Sequence, residues 1–514
     1  MNSAWARFAF LDLSLYRWRR ASYLHQPVGL LRHWRQGSWL LQWAEPIGAL
    51  LISLVFALGP FVSTSLIGVL LLAGAAYWVL LTLSDDVAGV TPIHLLVLLY
   101  WGIATVATAF SPVKQAAFKG WAELTLYLLL FALAARVLRS PHLRSWIVTL
   151  FLLVALVVSV YGARQEFFGV EQLATWTDPD SKLAGNTRVY SYLGNPNLLA
   201  GYLLSAIAFS VAAVFIWRSW MQKALALTMV VVNFACLYFT GSRGGWVGML
   251  ALILIFLLLL RYWWDAYLPR FWRRWLLPIV FGGMAGLIIL AMIFVEPLRL
   301  RVMSIFAWRE DSSNNFRINV WAAVFDMIRD RPLIGIGPGH DAFNKVYPLY
   351  QRPNYNALSA YSIFLETAVE TGLIGLGFFL WLIAVIFNQG MRRLGEMRSL
   401  ANREGFWLIA AIAAMVGMLA HGLVDTVWYR PQINSLWWLM VAIVASYYPH
   451  WRSSRERRAD KDTGFGSEEV NGLVCSKNLF LFPTLERSHA LMLSLLTQPC
   501  HALMPSLLQV SNAL

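Results

Sequence analysis

The chain reads as all-α: a polytopic transmembrane helical bundle of about 12 spans with a large external loop. Three observations predict this. Long apolar stretches recur along it, among them LLISLVFALG, LYLLLFALAA, WIVTLFLLVALVVSV and WVGMLALILIFLLLL. A helix needs about 20 apolar residues to cross a bilayer core, and in lipid only helices or closed barrels satisfy the backbone. Charged residues make up 13% of the 514, where a soluble domain carries about 25%. Arginine gathers between alternate pairs of apolar stretches, the pattern that the positive-inside rule produces.

Residues 1–45 are basic and Trp-rich and lack the apolar region of a signal peptide. They read as a cytoplasmic segment lying on the anionic inner leaflet. Transmembrane spans then fill 46–296, near 46–62, 64–83, 92–110, 119–138, 145–165, 196–217, 222–240, 244–261 and 275–296. A large periplasmic loop follows at 297–359, with a helix and a Gly-rich turn inside it. Spans resume over 360–449, near 360–388, 404–426 and 432–449. Residues 450–514 open on RSSRERRADKDTGFGSEE and read as a disordered cytoplasmic tail.

The arginines orient this path. Placing the N-terminus inside puts Arg17, Arg19, Arg20, Arg32 and Arg35 in the cytoplasm. The same choice puts Arg136, Arg139 and Arg144 there, with Arg261, Arg270, Arg273 and Arg274. Arg392, Arg393, Arg398 and Arg403 follow. Both termini are then cytoplasmic, in a plasma (inner) membrane, and the long loops 166–195 and 297–359 lie outside. The net charge of +14 is dispersed over short loops rather than gathered on one surface, which argues against nucleic acid as a partner and leaves membrane lipids as the first one. Of the three cysteines, none lies in an external loop, and none has metal-ligand spacing, so neither disulfides, a metal nor a cofactor is expected.

Ionisable groups at membrane depth are costly and so mark candidate sites. Several fall toward the external face. Thr240-Gly-Ser-Arg-Gly-Gly-Trp246 is a tight turn that offers the guanidinium fork of Arg243 to a phosphate or carboxylate. In Gly194-Asn-Pro-Asn-Leu198, Asn195 reads as an N-cap, Pro196 as the first helical residue and Asn197 as part of the first turn, where an anion can bind. In the large loop, Phe316–Arg329 has helical spacing, with Trp321, Val324, Phe325 and Ile328 on one face. Pro332 ends that helix, and Leu333-Ile-Gly-Ile-Gly-Pro-Gly-His340 resembles a phosphate-cradling loop only loosely. Glu366 and Glu370 share one helix face, with Arg243 or Arg317 as possible partners. His421 and Asp425 are also four apart and suggest a paired group. The charged members, Arg243, Arg317, Glu366, Glu370, His421 and Asp425, are expected to converge on one external cavity.

Together the SRG turn, GNPN–LA before a span, R–x3–W with D–x–P–L–x–G–x–G–P–G, and then L–x4–E–x–G–L–x–G resemble the O-antigen ligase and polymerase superfamily over roughly residues 90 to 450. The resemblance implies transfer of glycan from a polyprenyl-diphosphate carrier without a metal, with Arg243 and Arg317 in the diphosphate-binding positions. Ligases of this family have His-Asn at the start of the span after the loop; here Tyr361 and Ser362 stand there. Tyr361 is therefore one catalytic candidate, and His340 is another if the loop folds it back. The segments NFRINVW, IGIGPGHDAFN and SAYSIFLE are most similar to cyanobacterial inorganic-carbon-accumulation proteins, which implies bicarbonate as a partner. Two readings follow: bicarbonate transport or inorganic-carbon accumulation, and, as the alternative, a glycan ligase or polymerase at the periplasmic face.

Overall fold

The computed structural model describes residues 28–85, 90–170, 188–306, 309 and 311–448. The segment 1–27, most of the 166–195 loop and the tail lie outside the described residues, so the readings placed on them stay expectations. Among the described residues the regular structure is entirely helical. Two short helices, α1 (Arg32–Gly37) and α2 (Trp39–Gln42), lead into α3 (Ala44–Leu58), α4 (Thr64–Ser84), α5 (Pro92–Ala109), α6 (Lys114–Val137) and α7 (Pro141–Phe168). The chain continues through α8 (Pro196–Ile216), α9 (Trp220–Phe239), α10 (Arg243–Trp264) and α11 (Arg270–Phe294). The loop region forms α12 (Glu296–Phe306), α13 (Ser312–Asp330) and α14 (His340–Val346). The last three are α15 (Ile363–Ser399), α16 (Gly405–His421) and α17 (Pro431–Ser446).

Nine of these helices are long and apolar enough to cross a membrane: α4 to α11 and α15. Helices α3 and α16 are apolar but shorter. The protein is thus a multi-pass membrane protein, and nine is the number that length and composition support among the described residues. Boundaries follow local chemistry. Ser63, Ser140 and Ser219 cap α4, α7 and α9 by accepting from the amides of Leu66, Leu143 and Gln222. Proline begins α5, α7, α8 and α17, where its missing N–H costs nothing.

Helices α8, α16 and α17 form the centre, with α8 buried on nearly every side and packed against α9, α16 and α10. Small residues make that approach possible: Gly248 faces Gly417 of α16, Gly201 faces Val427 just beyond it, and Ala410, Ala411, Ala413 and Ala414 are fully buried within α16. Helix α11 is the opposite case. It has no buried residue, so its apolar surface faces outward along its length, as a span in contact with lipid does.

Arginines gather at one end of the bundle. Arg136 bonds Glu45 at 2.9 Å and Asp85 at 2.6 Å, Arg35 pairs with Asp85, Arg144 lies over the Tyr447 ring, and Arg398 over Tyr262. The predicted external elements meet at the other end, through the contacts of the site below. One helical expectation is corrected. In α13 the buried face is Val320, Ala323, Val324 and Met327, whereas Phe325 is exposed. The aromatic residues gave the wrong rotation: Trp321 sits half-buried at the margin, and its indole N–H donates to Ala360 O at 3.1 Å.

Candidate functional site

The site is assembled from chain ends that are far apart in sequence. At the start of α8, Asn195 caps the helix by accepting from the amides of Asn197 and Leu198. These amides are therefore engaged, and Asn197 contributes its side chain instead. Its Nδ2 donates to Asp425 Oδ2 at 2.6 Å, and its Oδ1 accepts from Arg188 Nη2 at 3.3 Å. Arg188 Nε also donates to Thr240 O at 3.0 Å, which ties the start of α8 to the SRG turn. Arg188 was missed in the sequence. The signal for it was an arginine in a loop predicted external, where the positive-inside rule disfavours one.

Ser242 caps α10 through Gly245, so Arg243 is the first helical residue. Its guanidinium donates to Ser304 O and Oγ at 3.0 and 3.1 Å and to Asp311 Oδ1 at 2.8 Å. Asp311 also caps α13, and six residues further on that helix carries Arg317. Arg317 Nε is buried without a hydrogen-bond partner among the described residues, and its Nη1 makes one long contact to Ser313 O at 3.5 Å. Burial pulls its pKa below the ordinary arginine value, opposed by the carboxylate of Asp425, and Arg243 is close enough to add repulsion. Arg243, Arg317, Asn197 and Asp425 thus form one cluster. Neither arginine pairs with Glu366 or Glu370, which corrects that expectation.

His421 is fully buried beneath this cluster against Gly244, where a β-carbon would come within 2.6 Å of the ring. It makes no hydrogen bond to Asp425, whose Oδ2 accepts from Asn197 instead, and neither ring nitrogen has a hydrogen-bond partner among the described residues. The predicted His–Asp pair is therefore not formed.

The Gly-rich turn is structural. Gly372 has φ +71° and breaks α15, which releases the carbonyls of Val369 and Glu370 and the N–H of Leu373 from helical bonding. The turn satisfies all three: Ile336 N donates to Val369 O at 2.8 Å, Gly337 N to Glu370 O at 2.9 Å, and Leu373 N to Pro332 O at 2.7 Å. A β-carbon on Gly335 would lie 2.3 Å from Val369 O, so backbone meets backbone here. The amides that resembled a phosphate cradle are spent on α15, so that loose resemblance does not survive.

Glu370 and Glu366 complete this joint. Glu370 Oε1 accepts from Gly339 N at 2.7 Å, and Glu366 Oε2 from Ala360 N at 2.5 Å. Both line a cavity of about 130 Å³, together with His340 and Glu123. The expected single cavity is therefore two adjoining places, an arginine cluster and a carboxylate-lined cavity, which meet at the consecutive residues Asp425 and Thr426.

Both catalytic candidates lie at this junction. The loop does fold His340 back: its ring stacks on Tyr429 at 5.6 Å, and its Nδ1 is buried without a hydrogen-bond partner among the described residues. Burial pulls its pKa below the usual histidine value, opposed by Asp341 and aided by Arg430. Tyr361 has φ +49°, a left-handed backbone that costs about 1–3 kcal/mol in a non-glycine residue, and it packs edge-on against Phe316 at 5.4 Å. Burial, with help from Asp425, pushes its phenol up to about 12. Tyr361 is therefore protonated at neutral pH and is no base, while neutral His340 has the free lone pair a base needs.

Residues 224–380 match the family model described as O-antigen ligase. This segment is similar to an O-antigen ligase domain. The matched segment contains Arg243, Arg317, His340, Tyr361, Glu366 and Glu370, while Asn197, Arg188, His421 and Asp425 lie outside the match. No curated protein matches the chain.

Proposed function

We propose that the protein is a membrane glycan ligase or polymerase, which transfers saccharide from a polyprenyl-diphosphate carrier to an acceptor hydroxyl at the periplasmic face of the plasma membrane. One observation carries this reading: Arg243 and Arg317 of the matched segment lie in one polar cluster with Asn197 and Asp425, at the end of the bundle opposite the structural arginines. That separation also favours the orientation with Arg136 and Arg144 in the cytoplasm.

In this mechanism the diphosphate lies against Arg317 and Arg243. The acceptor oxygen attacks the anomeric carbon, and the bond from that carbon to the diphosphate oxygen breaks. The bonding pair leaves with the diphosphate, where guanidinium charge stabilises it more strongly in the transition state than before. The acceptor proton passes to His340 Nδ1. Arg243 enters already held by Asp311, so the incoming phosphate shares or displaces that carboxylate. The family match favours this reading over bicarbonate transport, for which no described residue speaks.

Purified protein in liposomes, given a labelled polyprenyl-diphosphate glycan and an acceptor, should consume the donor and form a glycosidic product. Labelled bicarbonate entering the same liposomes while the donor stays intact would overturn the proposal.

A further inference from the structure

We infer that Tyr361 contacts the lipid carrier: its phenolic hydroxyl donates a hydrogen bond to a phosphate oxygen of the diphosphate held by Arg317. The identity of that diphosphate as a glycan carrier rests on the glycan-transfer reading above; contact between Tyr361 and a prenyl diphosphate does not.

Tyr361 has φ +49°, a backbone conformation that few non-glycine residues adopt. Its neighbours hold it there. Ala360 N donates to Glu366 Oε2 at 2.5 Å, and Ala360 O accepts from Trp321 Nε1 at 3.1 Å. Ser362 O accepts from Glu366 N, and Ile363 N donates to Gly422 O, both at 2.8 Å. Four hydrogen bonds thus maintain a strained residue with a bulky side chain. Backbone strain persists only where the surroundings enforce it, and it gathers at sites where a side chain must be aimed.

The side chain is aimed at the arginine cluster. Its ring packs edge-on against Phe316 at 5.4 Å, and Phe316 directly precedes Arg317. The bond from Ile363 to Gly422 fixes the same segment three residues from Asp425. The phenol is within electrostatic reach of both Arg317 and Asp425. Tyr361 does not line the carboxylate cavity, so it serves the arginine side of the junction. It is half-buried, and its hydroxyl makes no hydrogen bond among the described residues.

The chemistry of the group selects the ligand atom. A phenol that is protonated at neutral pH offers a donor, and a diphosphate oxygen is an acceptor that carries charge. Arg243 is already engaged by Ser304 and Asp311, and Asn197 by Asp425. Tyr361 and Arg317, whose Nη1 has one long contact at 3.5 Å, both keep donors to offer. As the anomeric bond breaks, its electron pair moves onto the diphosphate, and the hydrogen bond from Tyr361 strengthens. No proton is transferred in this step, and the phenol stays neutral.

The test is phosphorus NMR titration of the full chain in nanodiscs, with farnesyl diphosphate as the probe. Wild type should bind it saturably. Tyr361→Phe keeps the ring and its contact with Phe316, and it should weaken binding at least about tenfold, the loss of one hydrogen bond to a charged group. Its thermal midpoint should not move, because the lost oxygen has no partner in the chain. The affinity ratio of wild type to Tyr361→Phe should stay constant from about pH 6 to about pH 9, where a phenol does not ionise. Replacing Tyr361 with 3-fluorotyrosine, a stronger donor of nearly the same size, should tighten binding. This pattern supports the inference even if no glycosidic product is ever formed. No binding of farnesyl diphosphate, a loss smaller than tenfold in Tyr361→Phe, or no gain with 3-fluorotyrosine overturns it, even if lipid-linked glycan is consumed normally.

Discussion

Arg317→Ala separates chemistry from architecture better than any other substitution at the site. Arg317 Nε has no hydrogen-bond partner among the described residues, and the one bond of its Nη1 is a 3.5 Å contact to Ser313 O. Removing the side chain therefore breaks little, and unfolding should change by about 1 kcal/mol or less. The catalytic cost is different in kind. A donor aimed at charge that develops in the transition state is worth about 10²–10³ in rate, or about 2.7–4 kcal/mol. Donor consumption in proteoliposomes, measured in single turnover, should fall by that factor, with a much smaller change in donor binding. Arg317→Lys should recover only part of it, because an ammonium lacks the planar fork. Activity within threefold of wild type, or loss accompanied by unfolding, would refute the assignment.

Other outcomes follow from the same geometry. Arg243→Ala should lose activity and stability together, since it strands Asp311, the cap of α13; the thermal midpoint should drop, unlike that of the Arg317 variant. Because burial holds His340 below the usual histidine value, it stays neutral as pH falls through about 6.5. The acid limb of the transfer rate should therefore lie below that pH, and His340→Gln should remove the limb along with most of the rate. Gly372→Ala places a β-carbon 2.1 Å from Leu333 O in a positive-φ backbone that alone costs about 1–3 kcal/mol in a non-glycine residue, so proteolysis within 332–340 should accelerate.

Local chemistry was legible in the sequence and long-range pairing was not. The Asn195 cap, Pro196 and the Ser242–Arg243 turn are decided within four residues, and they read correctly. So did the all-helical fold, since bilayer-length apolar runs leave no other choice. Helix α13 was found, but its rotation was not, because Trp321 and Phe325 can face either core or surface while Ala323 decides how closely α13 packs. The partners of Arg243 and Glu370 lie 68 and 31 residues away in sequence, and no periodicity announces them. The Gly-rich turn was visible as a motif, yet its purpose depends on Gly372, whose kink exposes the carbonyls that the turn covers.

The central claim is that the arginine cluster serves a departing lipid diphosphate. It is tested most directly by product stoichiometry in protein-only liposomes, with labelled polyprenyl-diphosphate glycan and acceptor. One polyprenyl diphosphate should be released for each glycosidic bond formed, and none in the Arg317→Ala protein on the same time scale. Release of polyprenyl diphosphate that does not depend on Arg317, or bicarbonate uptake with the donor untouched, would contradict it.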